Sequence, residues 1–449
     1  MDALYSAVQY VLGFDSTVLL PIIFFLVGLL VRLKPGQAIR SALTVGAGFV
    51  GVFTIFGVLT QNIGPAAQQM VMRTGIDLPV VDLGWPPLSA ITWGGPIAPV
   101  VIPLTILINV IMLAFNWTKT VNVDMWNYWH FALAGTLAYY TTGNYWIGLG
   151  VAGVACVTIM KIADWSAPAV GEYFGLEGIS LPTLSSATFY PIGLLGDKII
   201  EKIPGLNKVV INPDTVQKRL GIFGEPILIG TMLGAGLGIL AGYEVRDIMS
   251  LAVNIGAVMF ILPRMVRILM EGLTPISNAV REYLSKRYPE RDDLYIGLDI
   301  AVATGDSAVI STGLILVPIS LVLAFIIPNN QLMPLGDLAN LAVMGSMIVL
   351  ATKGNVFRAV LIAIPCLIGD LLIGSVLADT ITKMAVGVNF DFPEGSSGLV
   401  SSFLDGGNPF RYWLVQISSG NMIAIGLIPI ILGIIYYLVR LTKSNHSMN

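Results

Sequence analysis

Apolar runs of membrane-spanning or near-spanning length recur along the whole chain, separated by short polar stretches. In the first half they are Thr17 to Leu33, Ala38 to Leu59, Ile97 to Phe115, Phe131 to Tyr140 with its aromatic approach, and Trp146 to Ile162. Pro226 to Ala241, Ile248 to Pro263, Ala308 to Ile327, Leu338 to Leu350, Phe357 to Leu377 and Tyr412 to Leu438 follow, which makes about eleven in all. The fourth and ninth are short and carry Gly, Asn or Asp at their edges, as broken or tilted helices lining a site do. Two polar stretches stand directly ahead of apolar runs. YIGLDIAVATGDSAVIS, from Tyr295 to Ser311, holds Asp299 and Asp306, and VVDLGWPPLSAITWGGP places Asp82, Trp85 and Thr92 before Ile97 to Ala114. A carboxylate at membrane depth is costly unless it faces a protein interior or a wet cavity. Both stretches therefore read as re-entrant hairpins dipping toward one cavity; the alternative is a pair of ordinary membrane-surface loops.

Composition agrees with the pattern. Hydrophobic residues make up 55% of the 449-residue chain and charged residues 11%, with a mean hydropathy of +0.81; a soluble domain carries about 25% charged residues. The expected fold class is an all-α integral membrane protein. The net charge of −3 decides little, because orientation follows the distribution of Lys and Arg among loops. Arg32, Lys34 and Arg40 follow the first run, whereas Met1 to Ser16 contains no basic residue, so the N-terminus is expected outside. The same frame puts Lys119, Lys198, Lys202, Lys208, Lys218, Arg219, the segment Arg281 to Arg291, Lys353, Arg440 and Lys443 inside, with the C-terminus. Arg73, Arg246, Arg358, Lys383 and Arg411 are exceptions or lie near run ends, where long side chains snorkel. MDALYSAVQYV has no basic segment of the signal-peptide kind. Cys156 and Cys366 lie in apolar runs outside any metal-ligand spacing and read as packing residues. No metal or other cofactor is expected, and no basic face suggests nucleic acid as a partner.

The order of polar landmarks repeats. Asp15 matches Glu225, IGPAAQQM matches LTPISNAV through Pro65 and Pro275, Asp82 pairs with Asp299, Pro103 with Pro318, Asp124 with Asp337, and Gly143–Asn144 with Gly354–Asn355. Each unit holds an odd number of runs, so the two copies are expected in opposite orientations, a plan characteristic of transporters with a site near the midplane. The chain divides into a first repeat and polar loop at 1–196, a cytoplasmic linker at 197–219, a second repeat at 220–386, an external connector at 387–409, and a final helix with its tail at 410–449. The connector has the composition of turns and suggests no role.

Several residues carry candidate chemistry. In NVDMWNYWHF a helix puts Asp124, Asn127 and His130 on one face, each one turn from the next. His130 is either a hydrogen-bonding or proton-accepting group in use or a satisfied histidine of an aromatic belt. Thr183, Ser185, Ser186 and Thr188 can present hydroxyls to a polyhydroxylated ligand, with Glu177 as an acceptor, or can bond their own backbone in an ordinary loop. Glu225 either caps the run that follows it or belongs to the site.

The motifs VVDLGWP, TWGGP, VNVDMWNYWHF, GLEGI, IIEKIPG, FGEP, GILAGYEV, GLTPI, IGLDIA, LGDLA and KGNVFR, in this order, resemble the membrane component, enzyme IIC, of galactitol-type sugar phosphotransferase systems, related to the ascorbate type. The resemblance covers nearly the whole chain. It implies a homodimer in the bacterial cytoplasmic membrane, an inverted repeat of five spans plus a last helix, and an elevator-type movement of a core domain against a dimerising scaffold. It also implies a polyol substrate phosphorylated by a separate IIB protein, supplied in turn by IIA, HPr and enzyme I. The candidate substrate-binding set is Asp82, Trp85, Thr92, Asp124, Asn127, His130, Thr183, Ser185, Asp299, Asp306 and Asp337, with Asp299, Asp306 and His130 as candidate proton acceptors. Galactitol members carry His at the places of Thr183 and Asp306, so the polyol preferred here is left open. A secondary transporter coupled to protons or sodium would use the same repeat and carboxylates.

Overall fold

A computed structural model describes residues 16–74, 78–213, 225–287, 294–390, 392 and 398–446. Asp15, Lys218, Arg219 and Arg291 lie outside the described residues. The first half runs α1 (Ser16–Leu30), α2 (Pro35–Thr74), β1 (Val80–Asp82), α3 (Trp85–Gly94), α4 (Ala98–Ala114), β2 (Thr120–Asn122), α5 (Met125–Thr142) and α6 (Tyr145–Phe174). A short strand β3 (Ile179–Ser180), a single turn α7 (Leu184–Ala187) and α8 (Phe189–Glu201) follow. The second half runs α9 (Pro226–Ala241), α10 (Val245–Arg287), β4 (Tyr295–Gly297), a 3-10 turn at Ile300–Ala303, α11 (Ser307–Ile326), β5 (Leu332–Met333), α12 (Leu341–Ala351) and α13 (Val356–Val376). The chain ends with α14 (Ala378–Gly387), β6 (Leu399–Ser401), α15 (Leu404–Gly407), α16 (Pro409–Ser418), α17 (Met422–Gly426) and α18 (Ile428–His446).

Helix boundaries follow local capping chemistry. Gly143, at φ 69°, ends α5 in the left-handed conformation, and Asn144 Oδ1 then accepts the N–H groups of Trp146 and Ile147 to start α6. Asp306 starts α11 in the same way, accepting from Ala308 and Val309 at 2.9 and 3.0 Å. Glu225 occupies the N-cap position of α9, exposed and without a side-chain capping bond. Among the described residues five helices are long and apolar enough to cross a membrane: Tyr145–Phe174, Val245–Ile276, Ser307–Ile326, Val356–Val376 and Met422–Thr442. A sixth is formed if α3 and α4, bent by 94°, count as one broken span.

Two expectations change. The final run does not form one helix from Tyr412: Gly420, at φ 81°, turns the chain, and Asn421 accepts from Ile423 and Ala424 to start α17. Tyr412 therefore belongs to α16, whose neighbour Arg411 is fully buried and does not snorkel. Arg358 is likewise engaged, its Nη1 donating to Asp197 Oδ1 at 2.7 Å and its Nη2 to the carbonyl of Asn207 at 2.8 Å.

The strands are short and lie in two parallel three-stranded sheets, ordered β5-β1-β6 and β2-β4-β3. Val80 pairs with Leu332 and Leu399, and Asp82 with Ser401. Thr120 pairs with Tyr295, Asn122 with Gly297, and Ser180 also with Gly297. Each sheet thus ties the first half of the chain to later segments. At the end of the second sheet Asp164 Oδ1 accepts from Thr118 Oγ1, Lys119 N–H and Thr120 Oγ1, each at 2.9 Å, fixing β2 against α6.

The long helices α2 and α10, of 40 and 43 residues, cross at glycines. A Cβ at Gly48 would lie 2.5 Å from Leu269 Cα, and one at Gly272 would lie 2.6 Å from Val45 N. Backbones meet closely there because no side chain intervenes, the usual device for packing helices in lipid. Gly64, on the same helix α2, has nothing within 4 Å of such a Cβ. Gly48→Ala is expected to destabilise the protein by about 1–3 kcal/mol through overpacking against backbone. Gly64→Ala should be neutral or stabilising by about 0.5–1 kcal/mol. Thermal unfolding of the two purified variants in detergent checks the contrast; equal effects would show that the crossing is not tight.

Candidate functional site

A cavity of about 110 Å3 opens where the two halves of the chain meet, lined by Val52, Trp85, Trp126, Trp129, His130, Thr183, Ser185, Asp299, Ile300, Ala301, Thr304, Asn340, Val343, Met344, Leu404 and Asp405. By the same measure about 10–15 Å3 admits one water, so there is room for a small polar solute. Trp85 meets Trp126 edge to face at 5.0 Å and Trp129 at 6.3 Å, and Trp129 lies 4.4 Å from the ring of His130. The wall is therefore aromatic and apolar, with a few converging polar groups, as small-molecule sites are.

Each polar lining group is held by a structural element. Asp299 ends the segment after β4 and caps the 3-10 turn, its Oδ1 accepting from Ala301 N–H at 2.7 Å. Thr183 sits at the start of α7 and its Oγ1 accepts the N–H of Ile300 at 2.9 Å, which joins the polar loop of the first half to the second half. Ser185 Oγ lies 3.4 Å from His130 Nε2. Its neighbour Ser186 donates to the carbonyl of Val343 at 2.9 Å and so docks α7 on α12.

The sequence-derived candidates divide into those that face the cavity and those that do not. Trp85, His130, Thr183, Ser185 and Asp299 line it together. Asp124 and Asn127 are buried beside it: Asp124 Oδ1 caps α5 through Trp126 N–H at 2.9 Å, and Asn127 Nδ2 lies 3.4 Å from Asn122 Oδ1. Asp124 Oδ2 and Asn127 Oδ1 have no protein partner among the described residues. Thr92 is fully buried and donates to the carbonyl of Leu88 in its own helix at 2.8 Å. Asp306 caps α11, with the Tyr173 hydroxyl 3.3 Å away, and is not part of the lining; Tyr173 belongs to a second cavity beside α18.

Asp82 and Asp337 form a separate buried pair. Asp82 accepts from the backbone N–H groups of Gly84, Phe403 and Gly336 at 3.1, 3.0 and 2.8 Å. Asp337 accepts from Trp85 N–H, Asn340 Nδ2 and Ser402 Oγ at 2.9, 3.0 and 3.2 Å. These carboxylates are spent on protein donors, backbone and side-chain, and clamp the start of α3 to the loops at 336–340 and 401–403. Asp299 neighbours Asp124, and Asp82 neighbours Asp337. The first pair has far fewer donors.

Two charged residues of the site escaped sequence reasoning, as did the polar lining residues Thr304 and Asn340. Asp405 lines the cavity from α15, in the stretch read as a connector without a role, and Arg411 stands behind it from α16. Asp405 Oδ1 lies 3.4 Å from both His130 Nδ1 and Arg411 Nη2, and Arg411 Nη1 donates to the Asp405 carbonyl. The available signal was the charge of Arg411 itself, which is expensive near an apolar run unless paired.

A family model described as the PTS system sugar-specific permease component matches residues 10–395. The chain is 38% identical over 431 residues to the PTS system galactitol-specific EIIC component of Escherichia coli strain K12, covering 96% of this chain and 94% of that protein. The protein of the same name from E. coli O157:H7 gives the same values. A putative permease IIC component of strain K12 is 37% identical over 426 residues, 94% of this chain and 96% of the relative. A multi-pass helical chain with an aromatic-walled cavity between its halves, matched along nearly its whole length, belongs to the family of PTS sugar-specific permease components.

Proposed function

We propose that this chain is an enzyme IIC that binds a hexitol such as galactitol and moves it across the cytoplasmic membrane while a separate IIB protein phosphorylates it. The observation that carries the reading is the cavity in which His130 and Asp299, one from each half of the chain, face three tryptophans. Ring faces suit the C–H surface of a polyol, and Asp299, Thr183, Ser185 and His130 suit its hydroxyls. The galactitol-specific names of two relatives support a hexitol. IIB, with IIA, HPr and enzyme I upstream, would supply the phosphoryl group, since no lining group of the cavity is a phosphoryl carrier of the cysteine kind.

An inverted repeat with an elevator-type movement is the architecture we assign. It is supported by the similar element order of the two halves: helix, very long helix, strand, a short helical element (α3 in the first half, the 3-10 turn in the second), helix, strand, helix, helix. It is supported further by the cross-pairing of strands, β1 with β5 and β2 with β4, so that the first strand of each half meets the second strand of the other. We keep the divisions at 196, 219, 386 and 409, an eleven-span count, the N-terminus outside and the C-terminus inside, and a homodimer as parts of this reading. Asp124, Asn127, Asp82, Asp337 and Thr92 then act as supports of the cavity wall, while Trp85, His130, Thr183, Ser185 and Asp299 meet the substrate.

His130→Ala or Asp299→Asn is expected to reduce galactitol phosphorylation by about 100-fold or more while membrane insertion persists. Membranes carrying each variant, supplied with the soluble phosphoryl-transfer proteins and labelled galactitol, give the measurement. Wild-type rates in a properly inserted variant would remove that residue from the site.

Thr183→His is expected to change the preference between galactitol and a pentitol, because Thr183 lines the cavity. Asp306 does not line it, so Asp306→His should leave that preference unchanged and combine additively with the first substitution. Phosphorylation of both polyols by the four variants decides the matter; strong coupling would place Asp306 in the same site.

A further inference from the structure

Arg411 is fully buried, and a guanidinium is a donor at every nitrogen and stays charged. Such a group is tolerated only where acceptors meet it. Among the described residues its Nη1 donates to the Asp405 carbonyl and its Nη2 meets both Asp405 Oδ1 and His130 Nδ1, while its Nε has no partner. The charge of Arg411 is thus balanced by one carboxylate, and that same Oδ1 faces His130 Nδ1 at 3.4 Å. The opposite ring nitrogen, Nε2, faces Ser185 Oγ and the cavity. The file of groups runs Arg411, Asp405, His130, Ser185, from the protein interior to the ligand space.

An imidazole between a carboxylate and a hydroxyl is oriented by the carboxylate: a proton held on Nδ1 by the acid leaves a lone pair on Nε2. Arg411 Nη2 lies 3.2 Å from Nδ1 and is the competing donor, which would call for the opposite tautomer. Nη2 also donates to Asp405 Oδ1 and keeps a second N–H for Nδ1, but an unprotonated Nδ1 would turn its lone pair toward the carboxylate Oδ1 as well, a repulsion that a proton on Nδ1 converts into a charge-assisted bond. We infer that Asp405, anchored by Arg411, is a positioning residue that holds His130 as the neutral Nδ1–H tautomer, so that Nε2 accepts a proton from a substrate hydroxyl. This rests on the phosphotransferase reading above. As the hydroxyl oxygen forms its bond to phosphorus, the phosphorus–sulfur bond of the IIB phosphocysteine breaks, its electron pair leaves on the cysteine thiolate, and the hydroxyl proton passes to Nε2.

The chain has two histidines, and the other, His446, ends α18. Full-length protein carrying His446→Gln and labelled with 15N-histidine therefore reports His130 alone. At pH 7 the expected spectrum shows a protonated, pyrrole-type Nδ1 and an unprotonated, pyridine-type Nε2. The opposite tautomer, with Nδ1 accepting from Arg411, or an imidazolium, overturns the inference. Asp405→Asn is expected to abolish the Nδ1–H preference and to lower kcat for galactitol phosphorylation by about 100-fold, with KM nearly unchanged. An inserted variant with wild-type kcat also overturns it. If the variant fails to insert, the spectrum of the Asp405-containing protein decides alone. Wild-type membranes that bind and phosphorylate no polyol overturn the functional reading instead, a failure distinct from finding the wrong tautomer in an active protein.

Discussion

Non-helical backbone in so apolar a protein has to find its hydrogen-bond partners inside the molecule, and this requirement shapes the centre of the structure. The two small parallel sheets meet it. They stitch β1 to β5 and β6, and β2 to β4 and β3, so each strand between the helices is paired with one distant in sequence. Where the ladders stop, carboxylates continue the pairing: Asp82 and Asp337 at one sheet, Asp164 at the other. The helices can break near the middle only because these bonds replace the ones a continuous helix would make.

The same arrangement separates two uses of a buried carboxylate. Asp82 accepts from three backbone N–H groups and has little capacity left for a ligand. Asp299 accepts from one described N–H group and faces the cavity, while its neighbour Asp124 keeps one oxygen without a protein partner. The two pairs of buried carboxylates thus carry unequal loads. The clamp holds Trp85 in the aromatic wall through its own N–H, and the less satisfied pair keeps acceptor capacity near the space a polyol would fill.

The cavity also depends on a segment far from it in sequence. β6 adds to β1 through Asp82 and Ser401, and this delivers Leu404 and Asp405 to the wall, with Arg411 behind them. The Arg411–Asp405 pair is a buried ion pair with a histidine attached, so breaking it would leave a charge uncompensated in the interior.

Local patterning was sufficient for the class of protein, for most helices and for five of the lining residues. Apolar runs of spanning length, with Asn144, Asp306 and Gly143 at their ends, carry their own start and stop chemistry. Trp85, His130, Thr183, Ser185 and Asp299 stood out because a polar or aromatic group beside an apolar run is costly unless used. Distance in the folded chain decided the rest. Asp299 and Asp306 are seven residues apart and alike in sequence, yet the 3-10 turn between them sends one to the cavity and the other to Tyr173. Asp82 and Asp337 read as ligand groups in the sequence, which does not show that their oxygens accept from Gly84, Gly336 and Phe403 and from Trp85, Asn340 and Ser402. Arg411 looked like a snorkelling charge, because the carboxylate that balances it and the histidine it serves come together only when β6 joins β1; periodicity reports which face of an element is apolar, but not which distant donor will meet a given acceptor.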